Sequence, residues 1–197
     1  MKQIVIATRN NGKAKEFKSF FLKYEVEAIS LLDINDDLPD VEETGDSFEE
    51  NAALKAEEIS RILDLPVVAD DSGLEIDALD GRPGIYSARY AGEKKDDKAN
   101  MYKVLEEMRI VSETKRTARF VCVLAIAIPR NKTVFKRGIC EGTIAFSEAG
   151  KNGFGYDPIF IPNGYEKTMA EIDPEEKNKI SHRKKAMDQL EKWLGNL

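Results

Sequence analysis

At 197 residues the chain is long enough for one sizeable core and short for two independent domains, so one folding unit over 1–197 is expected, with room for two lobes. Its 42% hydrophobic and 34% charged residues, with both signs interspersed, exclude disorder and collagen. A net charge of −6 and a pI near 5.1 argue against nucleic acid as a partner, while a small phosphate ligand, served by a few focused lysines and a divalent cation, stays open.

Residues 3 to 8 read as a first strand and 13 to 22 as a first helix. The turn Thr8-Arg9-Asn10-Asn11-Gly12-Lys13 aims backbone N–H groups, the positive end of a helix dipole and an ammonium at one point, as phosphate binding requires. The glycines of a Walker A loop are absent, so an ordinary turn with a solvated lysine is the alternative. A second strand at 25 to 31 leads into the acidic stretch Asp33 to Glu43, where Glu42-Glu43-Thr44-Gly45 is either a source of metal ligands or a solvated loop.

A helix is expected from Asp46 to Leu63, capped by Asp46 or Ser47 with Glu49 or Glu50 as its partner. On a helical wheel Phe48, Ala52, Ile59, Ile62 and Leu63 form one apolar stripe, with Lys55 in its middle and Asn51 at its edge. Lys55 therefore either snorkels to water or opens into an anion-binding cleft. Pro66 ends the helix, Val67-Val68-Ala69 reads as a buried strand, and Asp70-Asp71-Ser72-Gly73 follows at its end. One of the two aspartates is expected to reach a site as Mg²⁺ ligand or as base, an Asx-turn being the alternative.

Residues 95 to 109 read as helix, Arg116 to Ile128 as a central strand, and 133 to 139 with 141 to 146 as hairpin-like runs. In the glycine-rich segment 150 to 164, Phe154 between glycines offers a stacking surface for a base or packs in the core, and Asp157 accepts from a ring N–H or shapes a turn. Pro174 to Leu197 is expected as one closing helix, with Arg183 inside the apolar stripe of Ile180, Met187, Leu190 and Leu194. Ser181 can cap there, next to His182, the only histidine. Strands and helices intermix without a strict βαβ period, so the expected class is α/β with a mixed sheet rather than a doubly wound fold. Cys122 and Cys140 stand apart and are expected reduced. The N-terminal apolar run is too short for a signal peptide and no stretch has membrane-spanning length, so a cytoplasmic protein is expected.

Together these segments resemble the inosine triphosphate pyrophosphatase family, which hydrolyses deaminated purine nucleoside triphosphates. Thr8 to Lys13 with Glu16 is similar to its [ST]-x-N-x-x-K-x-x-E opening, and Glu50-Asn51-Ala52 with Lys55-Ala56 to its E-N-A-x-x-K-A helix. Ala69 to Leu74, Gly81 to Tyr90, Gly153 to Pro158, and Glu176-Lys177-Asn178 with Ser181-His182-Arg183 are similar to its remaining blocks. The resemblance implies a twisted mixed β-sheet flanked by helices, elongated and two-lobed with a central cleft, and a homodimer. It also implies water attack at the α-phosphorus, releasing pyrophosphate. Thr8, Arg9, Asn10, Asn11, Gly12, Lys13 and Lys55 would hold the triphosphate. Asp71 would be the catalytic carboxylate, and a Mg²⁺ ligand with Glu43 or, in another register, Glu42. Ser72 would line the site, Phe154, Gly155, Tyr156 and Asp157 would meet the purine, and Lys177, His182 and Arg183 would contact base or phosphate.

Overall fold

In a computed structural model, residues 3–34 and 38–194 are described. Six strands form one sheet: β1 (Gln3–Ile6), β2 (Glu27–Ser30), β3 (Val67–Ile76), β4 (Thr117–Ala127), β5 (Val134–Ile144) and β6 (Phe160–Pro162). Their order is β2-β1-β3-β4-β5-β6. β1 runs parallel to β2 and β3, and β5 antiparallel to β6, so the sheet is mixed, as expected. The helices are α1 (Asn11–Leu22), α2 (Phe48–Leu63), α3 (Asp97–Glu107), α4 (Pro174–Ile180) and α5 (His182–Leu194).

The chain divides into two compact units. Unit 1 is Met1–Asp71, Val123–Arg137 and Leu190–Leu197; unit 2 is Ser72–Cys122 and Gly138–Gln189. In unit 1, α1 opens on Asn10, whose Oδ1 accepts from the Lys13 N–H at 3.0 Å, and buries Ala14, Phe17, Phe20 and Phe21 at three- and four-residue spacing. Each fully buried phenylalanine contributes roughly 1.5–3 kcal/mol of hydrophobic stabilisation. α2 is capped by Ser47, which accepts from the Glu50 N–H, while Glu50 accepts from the Asp46 N–H. It ends on Asp64 in the left-handed conformation, two residues before Pro66. Unit 2 packs around Leu74, Ile76, Met101, Val104, Phe120, Ile159 and Phe160.

Three expected elements differ. β3 does not stop at Ala69 but carries Asp70 and Asp71 inside it and continues to Ile76. The hairpin expected at 133–146 is a single strand, because Gly138, Cys140, Gly142 and Ile144 alternate on one buried face without a break. The closing helix is two: Ser181 is extended (ψ 150°) and caps α5 by accepting from the Lys184 N–H. The expected end of that helix at 195–197, and residues 35–37 of the acidic stretch, lie outside the described residues. Cys122 and Cys140 are buried free thiols. Among the described residues no helix is long and apolar enough to cross a membrane.

Candidate active site

In unit 1 the expected phosphate and carboxylate residues come from three elements. Thr8 follows β1, and Arg9, Asn10, Asn11 and Gly12 form the exposed turn into α1. Thr8 Oγ1 accepts from the Asn10 N–H at 3.2 Å, and the Arg9 guanidinium donates to the Leu38 carbonyl at 2.9 Å. Lys13, on the first turn of α1, places Nζ 2.7 Å from Asp70 Oδ2.

Lys55 on α2 places Nζ 2.7 Å from Glu43 Oε1 and 2.7 Å from the Asp70 carbonyl oxygen. Burial opposes the charge on Lys55, but Asp70, Asp71 and Glu43 more than offset it and raise its pKa. Lys55 thus stays cationic, and it meets Glu43 rather than the exposed Glu42.

Asp70 and Asp71 are adjacent on β3, 3% and 7% exposed, so the Asx-turn alternative falls. Burial pushes the Asp71 carboxyl up to about 6. The Lys55 ammonium and a side-chain interaction from Asn51 pull it down, while Glu43 and Asp70 push it further up. Buried carboxylates at this position need the lysines: removing one partner of such a pair leaves an uncompensated charge at a cost of about 3–5 kcal/mol.

Unit 2 carries the remaining expected residues. Phe154 is 59% exposed in the loop before the short turn Asp157–Ile159. Asp157 Oδ2 accepts from the Phe154 N–H at 2.8 Å and lies 2.5 Å from Lys177 Nζ, whose ammonium is 5.2 Å from the Phe154 ring centroid. Gly153, at φ 79°, has no room for a side chain, since a Cβ would lie 2.0 Å from Asp157 Oδ2. The Gly155 N–H donates to Asp97 Oδ2 at 2.9 Å. Tyr156 is buried and its hydroxyl donates to the Ser87 carbonyl at 2.7 Å, so its ring packs in the core rather than facing a ligand. On α5, the His182 ring stacks on Phe120 at 5.0 Å and Arg183 is buried. Ser72, the first residue of unit 2, is half-buried on β3.

A cavity of about 580 Å³ adjoins the Phe154 loop, lined by Asp97, Lys98, Met101, Phe154 and Gly155 among others. A larger one of about 720 Å³, lined by α2 residues from Glu57 to Arg61 and by residues 127–133, contains none of the expected residues. The size of a cavity is here a poorer guide than the chemistry of its walls. Among the described residues no group of three or more His, Cys, Asp or Glu side chains is arranged to hold a metal.

The model of the Ham1 family matches residues 4–193. The chain belongs to the Ham1 family. It is 64% identical over 194 residues to a dITP/XTP pyrophosphatase of Oceanobacillus iheyensis, covering 98% of each chain. It is 57% identical to one of Geobacillus kaustophilus, covering 98% of this chain and 95% of the relative. Among solved structures, the Ham1 protein of Staphylococcus aureus superposes with a TM-score of 0.91 at 47% identity, covering 99% of both chains. The Coxiella burnetii HAM1 protein gives 0.93 at 41% identity, covering 100% of both.

Beyond the residues expected from sequence, this Ham1 chain adds Asn51, fully buried behind Glu43 and Asp71, and Asp97, which anchors the Phe154 loop. Asn51 carried a signal in its i, i+4 spacing to Lys55, whereas Asp97 carried none, lying 58 residues from its partner.

Proposed function

We propose that the protein hydrolyses dITP, ITP and XTP to the nucleoside monophosphate and pyrophosphate. The observation that carries this reading is the meeting of two lysines from two helices at one point of β3, Lys13 on the Asp70 carboxylate and Lys55 on the Asp70 carbonyl and Glu43, next to the buried Asp71. Two cations kept among buried carboxylates suit a polyanion whose charge exceeds that of a single phosphate. The dITP/XTP pyrophosphatases to which the chain is similar support the substrate class.

The carboxylate cluster suits a divalent cation. Its donors are hard oxygens, and Asp71, whose bare carboxylate is disfavoured first by burial and then by Glu43 and Asp70, gains a counter-charge from a cation. Asp71 and Glu43 would hold Mg²⁺, which takes one or two protein carboxylates and completes its shell with water and phosphate oxygens. When bound, the ion supplies positive charge at the α-phosphate and acidifies water. Asp71 is ionised at neutral pH and accepts the proton of the attacking water. Lys13 and Lys55 donate to the phosphate oxygens and hold the leaving pyrophosphate.

For the purine, Phe154 supplies a stacking face, Lys177 and Arg183 donate to the 6-oxo group, and His182 lines the same end. Adenine presents an amine at that position, which leaves these donors unanswered, and guanine, which shares the 6-oxo group, is rejected by a pocket that gives its 2-amino group no acceptor. Each such buried unsatisfied group costs about 1–3 kcal/mol. On the family resemblance we extend the reading to a cytoplasmic homodimer.

The test is pyrophosphate release from dITP, ITP, XTP, dATP, GTP and CTP with Mg²⁺ and with EDTA. Release confined to the deaminated purines and lost in EDTA is expected. Orthophosphate as the product, or equal rates on all six, overturns the reading.

A further inference from the structure

Asn51 lies one helical turn before Lys55 on α2 and is completely buried. Its Oδ1 accepts from the Gly45 N–H at 2.8 Å, which assigns that atom as the oxygen and directs Nδ2 elsewhere. Nδ2 is also buried and makes no hydrogen bond among the described residues, which leaves one amide donor unspent beside the carboxylates of the site. Gly45 is seated directly on this amide: a Cβ there would lie 2.6 Å from Glu50 Cβ and 2.9 Å from Asn51 Oδ1. Two residues earlier, Glu43 meets Lys55, and Lys55 donates to the backbone carbonyl of Asp70, beside Asp71. Asn51 and Lys55, one turn apart on α2, therefore hold the 43–45 loop at two points, Gly45 and Glu43, and Lys55 ties it to β3 at Asp70, beside Asp71.

We propose that Asn51 is a positioning residue for the reaction proposed above, its oxygen holding the loop that carries Glu43 and its nitrogen facing Asp71, so that one buried amide sets the separation of the two carboxylates. The inference rests on the pyrophosphatase reading and assigns Asn51 no contact with substrate. A neutral amide suits the task, because it can accept from a backbone N–H at one end and donate to a carboxylate at the other without adding charge. Lysine or arginine would neutralise the carboxylates that a cation needs, and an aliphatic residue would leave the Gly45 N–H unanswered.

The experiment compares wild type, Asn51→Ser and Asn51→Asp. Serine shortens both links, whereas aspartate keeps the acceptor for Gly45 and removes the donor to Asp71. Calorimetric Mn²⁺ binding is measured in the presence of a non-hydrolysable α,β-imido analogue of dITP, beside kcat for dITP and thermal melting. Expected is a Mn²⁺ affinity about tenfold weaker and a kcat about 10- to 100-fold lower in both variants, typical of a lost outer partner of a metal ligand. Metal-free binding of the analogue should stay within twofold of wild type. Mn²⁺ affinity and kcat both within twofold of wild type overturn the inference, as do losses that merely track the unfolded fraction. Wild type that releases no pyrophosphate from dITP overturns the function itself, whatever Asn51 does.

Discussion

Unit 1 fixes Lys13 on α1, Lys55 on α2 and both aspartates inside β3, and ties its one loop carboxylate, Glu43, to Lys55. Unit 2 instead offers Phe154 from an exposed loop tied down at the Gly155 and Phe154 amides by Asp97 and Asp157. Chemistry that depends on sub-ångström placement sits on strand and helix, where packing locks rotamers; recognition of a flat base tolerates a loop. The comparison predicts that damage in unit 1 appears in kcat and damage in unit 2 in KM.

The largest expected effect is that of Asp71→Asn, which removes the proton acceptor and should lower kcat by ~10³-fold while nucleotide binding persists. In wild type at sub-saturating Mg²⁺, kcat/KM should fall as the pH drops through about 6, where cation-free Asp71 takes up a proton. A variant that keeps more than a tenth of wild-type turnover would erase the distinction between the units.

Next comes an opposite effect on stability. The folded-state pKa of Asp71, about 6, lies above its ordinary 3.8, so its contribution to folding is fully present below pH 3.8 and lost as the pH rises through 6. At neutral pH, without divalent cation, ionised Asp71 opposes folding by up to roughly 3 kcal/mol. Asp71→Asn should therefore melt higher than wild type in EDTA at pH 7.5, with the gap closing towards pH 4. Equal melting temperatures at pH 7.5 would mean that the neighbouring lysines already balance the site.

The smallest effect is expected at the loop. Phe154→Ala should raise KM for dITP by about tenfold, the usual worth of one stacked base, with kcat within twofold. A fall in kcat instead would place Phe154 among the residues that orient the reacting phosphate.

The sequence motifs located most of these groups because each breaks a local pattern: Lys55 and Arg183 interrupt apolar stripes, and Phe154 sits exposed between glycines. What was not legible had competing local signals. Asp70-Asp71-Ser72-Gly73 has the composition of a turn, yet tertiary ion pairs with Lys13 and neighbours around Lys55 keep β3 extended through it. The apolar stripe from Ile180 through Met187, Leu190 and Leu194 runs on past Ser181, so the break between α4 and α5 leaves no trace in periodicity; its one signal was the capping serine, whose Oγ accepts from the Lys184 N–H. Tyr156 shares its segment with Phe154, but its hydroxyl finds the Ser87 carbonyl 69 residues away, a partner that no spacing announces.

Arg116, which opens the run read as the central strand, has a consequence for biosynthesis. It is fully buried, and carbonyls answer its guanidinium: those of Met108 and Val111 before it in the chain, and of Ile144 and Ala145 after it. The ring of Phe146 covers it at 4.3 Å. A growing chain released up to residue 140 holds only the first pair of acceptors, and a cation half-supplied with acceptors keeps its water. Translation must therefore deliver residues 144–146 before the turn after α3 can dry out and close, so this corner of unit 2 waits on the ribosome while α1 and β1 have long been free to pack.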